Sequence, residues 1–206
     1  MRRAQLALAG GLLLFALAAA DLLLHGPLTS VDPEISTWLH GRMHRAVTRT
    51  LLVFTYVHST IGLSAMSAGL AIFFVVRRQP GWILRLLLTV QGGQLLNAGL
   101  KQLFQRARPH WDEPLLTFTT TSFPSGHAAG ATVFWGFVCV AAWSLGAPPL
   151  LRRVLLVIAP LMVVLTCFSR VYLGAHYFSD VLAGVGEGVA WVAACTMLMR
   201  ARTMRA

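Results

Sequence analysis

The sequence predicts an all-α fold: a polytopic membrane bundle of six spanning helices, with one amphipathic helix outside the lipid after the first span. Three observations predict it. Of the 206 residues, 56% are hydrophobic and only 12% charged, roughly half the charged fraction of a soluble domain. Apolar runs near the roughly 20 residues that cross a bilayer recur along the chain. Between them the basic residues come in short pairs, so the net charge of +10 fits the positive-inside pattern and not a nucleic-acid footprint. No internal repeat or low-complexity tract interrupts this plan, and residues 1–206 read as one domain.

The first span is Ala4 to Leu24, behind Arg2-Arg3. Ala18-Ala19-Ala20 offers a peptidase site, but the apolar run continues past it to spanning length, so an uncleaved span is favoured. His25 to Thr50 is a polar connection, in which Asp32 is expected to cap a helix running through Arg49. Ile35, Trp38, Leu39 and Met43 recur there at helical spacing among basic residues, which predicts an amphipathic helix in the headgroup plane. Leu51–Val76 is the second span, rich in small residues, and Gly81–Leu100 the third, with Gln91, Gln94 and Asn97 facing other helices or a wet cavity. Lys101–Ser125 reads as a polar loop and Gly126–Leu145 as the fourth span. Arg152–Thr166 is the fifth span, kinked at Pro160; Ser169–Asp180 is the third polar loop, and Val181–Met199 the sixth span.

Arg2-Arg3, Arg77-Arg78, Arg152-Arg153 and the tail Arg200, Arg202 and Arg205 all fall on one side of this plan. That side is expected to be cytoplasmic, with both termini. Arg42, Arg45, Arg49, Lys101, Arg106, Arg108 and Arg170 remain on the opposite face against that bias, which points to a task for them. Cys139, Cys167 and Cys195 lie within apolar segments without metal-like spacing and read as small core residues.

The chemistry-bearing residues gather around Ser122-Phe123-Pro124-Ser125-Gly126-His127. A turn that opens an apolar helix gathers free backbone N–H groups, a hydroxyl and an imidazole at a partly positive point, which suits an anion. Lys101 precedes Arg108-Pro109 by seven residues, close to two helical turns, and Pro109 is expected to end that helix at Arg108. Alone, this pair reads equally as a basic cluster touching lipid headgroups. Ser169-Arg170, His176 and Asp180 follow; the last two, four apart, are neighbours if the helix begins that early. Asp180 serves either as an N-cap or as the carboxylate that orients the imidazole.

Together these groups make a phosphate site. Lys101, Arg108 and Arg170 supply positive charge, and Ser125 and Gly126 hold phosphoryl oxygens. His176 can attack phosphorus, and His127 can protonate the leaving oxygen and then activate water. The carboxylates Asp180, Asp112 and Glu113 are too scattered for a two-metal site, so neither metal nor cofactor is expected.

Lys101-x6-Arg108-Pro109, Pro124-Ser125-Gly126-His127 and Ser169-Arg170-x5-His176-x3-Asp180 closely resemble the three motifs of the type 2 phosphatidic acid phosphatase superfamily. The motifs span residues 101–180, and the resemblance extends to the whole chain through its six-span plan. It implies His176 as nucleophile, Asp180 as its orienting partner and His127 as general acid. It implies phosphate binding by Lys101, Arg108, Ser125, Gly126 and Arg170. It further implies a bacterial plasma (inner) membrane enzyme, active at the extracytoplasmic face on lipid phosphates. Candidate substrates are undecaprenyl pyrophosphate, phosphatidylglycerol phosphate, phosphatidate or lipid A phosphates. The partners expected are therefore the lipid substrate and the bilayer.

Outside the motifs, Glu187 reads either as a functional ionisable residue within the sixth span or as a packing residue beside Gly184 and Gly188. His110 is a candidate substrate contact or a rim residue. Trp111, Phe118, Phe123, Tyr172, Tyr177 and Phe178 read as interfacial aromatics, and His25, His40, His44 and His58 are assigned no chemistry. Two other functions fit the same pocket: a phosphotransferase, which passes the phosphoryl group to an acceptor, and a transporter, which would need neither histidine.

Overall fold

A computed structural model describes residues 2–203, with side chains as far as Met199. The side chains of Arg200 and Arg202, and all of Arg205, lie outside the described residues. Among the described residues every regular element is helical: α1 (Arg2–Leu23), α2 (Pro27–His40), α3 (Arg45–Val57), α4 (Thr60–Val76), α5 (Pro80–Leu86), a π turn (Leu87–Gln91), α6 (Gly92–Phe104), α7 (Gly126–Ser144), α8 (Pro149–Tyr172) and α9 (Phe178–Thr203). Among the described residues, four helices are long and apolar enough to cross a membrane: α1, α7, α8 and α9. The pair α3 and α4 makes a fifth if counted as one span, bent by 53°. The chain is a multi-pass membrane protein.

The helices around α9 approach closely because small residues line it. Gly11 on α1 lies against the backbone of Gly186 and Ala190. Gly184 sits against the Ser125 carbonyl and Ala128 at the start of α7. A side chain at either place would push two backbones apart, the usual reason for small residues at intramembrane contacts. On the other flank Phe74, Trp82, Leu86, Val90 and Phe137 form the aromatic core between α4, α5, the π turn and α7.

Several predicted elements need correction. The connection after the first span is two helices, broken at Gly41-Arg42, not a single helix through Arg49. Asp32 does not cap it. Asp21 does, accepting from the backbone N–H groups of Leu28 and Thr29 at 3.2 and 2.7 Å, while Asp32 is fully buried within α2. The second apolar run is interrupted at His58-Ser59, where the Ser59 hydroxyl caps the N-terminus of α4. The third continues as helix through a π turn and past its expected end to Phe104. It stops there because Gln105 turns left-handed (φ 46°), four residues before Pro109. The fifth helix likewise runs on to Tyr172, since the first breaker is Gly174 at φ 67°. Lys101 and Arg170 are therefore helix-borne near the last turns of α6 and α8. Of the expected interfacial aromatics, Phe123 and Tyr172 are instead buried in the protein.

Candidate active site

The 105–125 loop, the turn 173–177 and the facing ends of α6, α7, α8 and α9 meet at one point. His176 lies in the short turn between α8 and α9 and is only 1% exposed. Asp180 stands in the first turn of α9 and accepts from the backbone N–H of Tyr177 at 2.9 Å, as a capping carboxylate does at that position. The same oxygen, Oδ2, accepts from the Ser122 hydroxyl at 2.5 Å and lies 3.4 Å from His176 Nδ1. Asp180 is therefore not the N-cap residue itself: its carboxylate caps from inside the first turn and at the same time faces the imidazole. With Nδ1 turned to the carboxylate, the lone pair of the neutral ring falls on Nε2. Burial pushes the His176 imidazole down to about 3, against the opposing pull of Asp180, so at neutral pH the ring is the uncharged form that can act as a nucleophile.

Arg106 holds the other side of Asp180. Its Nη1 donates to Asp180 Oδ1 at 2.6 Å and to Ser179 Oγ at 2.7 Å, and its Nη2 to Asp32 Oδ2 at 2.8 Å. Asp32 also accepts from the backbone N–H of Ser179 at 3.1 Å and from the Ser179 hydroxyl. Burial opposes charge on Arg106, but Asp180 and Asp32 beside it hold the guanidinium above its ordinary value. Sequence reasoning took Arg106 only as one more outer-face cation and missed this clamp, along with Asp32 and Ser122. The one local signal was an isolated Asp within the apolar face of α2.

The three expected cations converge around the 105–125 loop. Lys101 Nζ donates to the carbonyls of Thr121 and Ser122 at 2.5 and 3.2 Å. Arg108 donates to the Thr120 and Ala175 carbonyls at 2.7 Å each and to Thr121 O at 3.2 Å, and its Nη1 stands 3.2 Å from His176 Nε2. Burial lowers Arg108 to about 10, so it stays charged at neutral pH. Arg170 is 1% exposed, and its Nη1 donates to Thr55 Oγ1 at 2.7 Å. Its Nε and Nη2 are buried without a partner. Two unpaired N–H donors on a buried cation are costly unless an acceptor occupies the site, and a phosphoryl oxygen suits a guanidinium fork. The Phe118 ring lies 4.1 Å from the Arg108 guanidinium carbon and 5.3 Å from that of Arg170.

Ser125, fully buried, caps α7 by accepting from Ala128 N at 3.5 Å, and its own N–H donates to the Asp180 carbonyl at 3.0 Å. Gly126 lies against Asn97 and Lys101 of α6. His127, in the first turn of α7, has Arg170, His176, Arg108 and His58 as its charge neighbours. The two imidazoles are thus near enough to interact electrostatically. His110 is exposed and, among the described residues, makes no hydrogen bond to this cluster. Glu187 lies two turns along α9 from Asp180, where its Oε2 accepts from Asn97 Nδ2 at 2.8 Å and its Oε1 is buried unpaired. Its hydrogen bond reaches the site through Asn97, which packs against Gly126, and Lys101 is its charge neighbour. Thr55, also missed from sequence, meets Arg170 from the last turn of α3, just before the 53° bend to α4.

Comparison with known proteins gives three results. The profile described as the PAP2 superfamily matches residues 82–204, which contain all three motifs. Among curated proteins, phosphatidylglycerophosphatase B of Bacillus subtilis is 35% identical over 124 residues, 59% of either chain. Glucose-6-phosphatase catalytic subunit 1 of Haplochromis nubilus is 32% identical over 142 residues, 57% of this chain and 40% of that one. The chain thus spans less than two thirds of the length of both relatives. Among solved structures, the transmembrane PAP2 type phosphatidylglycerolphosphate phosphatase from Bacillus subtilis superposes with a TM-score of 0.81 at 26% identity, covering 98% of each chain. Aquifex aeolicus LpxE gives 0.61 at 23% identity, over 83% of this chain and 95% of that one, a likeness of fold.

Proposed function

The chain belongs to the PAP2 superfamily, and from that premise we propose that it is an integral membrane phosphatase that hydrolyses the phosphate or diphosphate ester of a lipid. The observation that carries this reading is a buried, neutral His176. Its Nδ1 faces Asp180, and its Nε2 stands beside Arg108 and the cationic pocket to which Arg170 belongs. The relatives named as phosphatases support the class of reaction, and the Bacillus protein supports a lipid phosphate as substrate. Phosphatidylglycerol phosphate, phosphatidate, undecaprenyl pyrophosphate and lipid A phosphates all present the group this pocket fits.

In the first step the Nε2 lone pair forms a bond to phosphorus as the P–O bond to the lipid breaks. His127 gives its proton to the departing oxygen. In the second, His127 takes a proton from water, which attacks phosphorus; the P–N bond breaks, its electron pair returns to Nε2, and inorganic phosphate leaves. Lys101, Arg108 and Arg170, with the Ser125-Gly126 backbone, neutralise the charge spread over the equatorial oxygens. Because three side-chain cations supply that charge, the reaction is metal-independent.

The same reading gives the membrane plan. With the helical run Pro80–Phe104 counted as the third span, beside α1, the bent α3–α4 pair, α7, α8 and α9, the spans number six, and residues 1–206 form one domain. The amphipathic segment is α2, which lies over the site and is pinned to α9 through Asp32. The arginine-rich ends face the cytoplasm with both termini, and the site opens at the extracytoplasmic face of a bacterial inner membrane.

The test is phosphate release by the purified chain from a panel of these lipid phosphates, in EDTA. His176→Ala and His127→Ala are each expected to lower the rate by on the order of 10³-fold or more while the protein still inserts. Strict dependence on magnesium, or transfer of the label to an acceptor without free phosphate, would overturn the proposal.

A further inference from the structure

We propose that the end of the bundle remote from His176 holds a second lipid site, which takes a diacyl phospholipid with an anionic headgroup. This inference is independent of the catalytic reading.

The site is a cavity of about 990 Å³ between α1, α7, α8 and α9, at the upper end of the range for small-molecule pockets. Along α7 it runs from Thr132 to Ser144, about 18 Å at the helical rise per residue. One leaflet of the hydrocarbon core is about 15 Å deep, so the length matches an acyl chain lying along the helix. Its depth makes no polar demand on an occupant. The hydroxyls of Thr132 and Thr196 donate to the carbonyls of Ala128 and Val192 on their own helices, at 2.8 and 2.7 Å. Gly136, Cys139, Val140 and Trp143 supply the rest of the α7 wall between Thr132 and Ser144.

The mouth is different. Arg2 and Arg3 line it. Arg152 precedes the lining residue Leu156 by one helical turn on α8, and its Nε is buried without a partner. No acidic side chain is available to these cations. The seven acidic residues are Asp21 at the far end of α1, Asp32 and Glu34 on α2, Asp112 and Glu113 in the 105–125 loop, and Asp180 and Glu187 in the first half of α9. All belong to the catalytic half. An aliphatic cleft with uncompensated arginines at its rim is complementary to an amphiphile whose charge is negative. A soluble anion would leave the cleft empty, and a zwitterionic lipid would leave the arginines unmatched.

The test uses the full chain in detergent, titrated separately with dioleoyl phosphatidylserine, dioleoyl phosphatidylcholine and inorganic phosphate, with bound lipid counted by native mass spectrometry. Phosphatidylserine is a phosphodiester and so is not a substrate for the proposed phosphatase. It is expected to bind more tightly than phosphatidylcholine, by roughly fivefold for each arginine engaged. Arg2→Gln with Arg3→Gln should remove that preference, and Val140→Trp, which fills the cleft and keeps the charges, should weaken both lipids. Equal binding of the two lipids would overturn the proposal, as would a preference that survives the double substitution. Displacement of lipid by inorganic phosphate, or unchanged binding in Val140→Trp, would overturn it as well.

Discussion

Replacing Arg106 by Gln should test whether the orientation of His176 depends on a clamp outside the three motifs. Arg106 joins two fully buried carboxylates, Asp32 and Asp180, at 2.8 and 2.6 Å. Removing one member of a buried ion pair strands the other charge and typically costs about 3–5 kcal/mol. A clear drop in thermal unfolding temperature in detergent is therefore expected. The rate should fall too. Asp180 would lose the contact that fixes Oδ1, and a displacement of about 1 Å in a reacting group is worth about 100-fold. The direction of the pH effect follows from the charges. Asp180 pulls the His176 pKa upward against burial, and Arg106 offsets part of the Asp180 charge. Without Arg106 the ring takes a proton at higher pH, and since only the neutral ring attacks, the acidic limb of kcat/KM should move toward neutrality. Arg106→Lys should recover part of the loss, because an ammonium keeps the charge but not the two-sided fork. A pH–rate profile of Arg106→Gln with an unmoved acidic limb and kcat/KM within about threefold of the parent would refute the clamp.

Other substitutions probe the supports of the pocket. Thr55→Val removes the acceptor of Arg170 Nη1 and should cost about 1–3 kcal/mol, with weaker inhibition by inorganic phosphate as a second readout. Gly184→Ala places a Cβ 2.6 Å from the Ser125 carbonyl and 3.1 Å from Ala128 Cβ, so it should lower both stability, by about 1–3 kcal/mol, and phosphate release. Glu187→Ala leaves the Asn97 amide unpaired and should lower the unfolding temperature, whereas Glu187→Gln keeps that acceptor and should stay close to the parent. Equal losses in the two Glu187 variants would show that the carboxylate does more than hold Asn97.

The motif residues were legible in the sequence because the spacing of each motif is short and local. Ser125 opens α7 as a cap residue next to an apolar run should, and His176 meets Asp180 across four positions even though the helix starts only at Phe178. At the site the errors fell where a helix was ended too early, and outside it where a helix was carried through the breaks at Gly41-Arg42 and His58-Ser59. Polar residues at Lys101 and Arg170 looked like loop because hydropathy cannot distinguish a solvated cation from one buried against loop carbonyls or a threonine.

By itself, the sequence determined most of the apolar helices and the residue types of the candidate site, both of which depend on neighbours within a turn or two. Only the tertiary structure decided the supports: Arg106 reaching Asp32 and Asp180, each 74 positions away, and Arg170 reaching Thr55 across 115. It also decided that Asp32 is buried and not a cap, and that the second apolar run is bent at His58-Ser59. The reason is physical. Helix formation follows from local periodicity, whereas a buried charge takes whichever partner helix packing brings within about 3 Å, and that distance is written in no single stretch of chain.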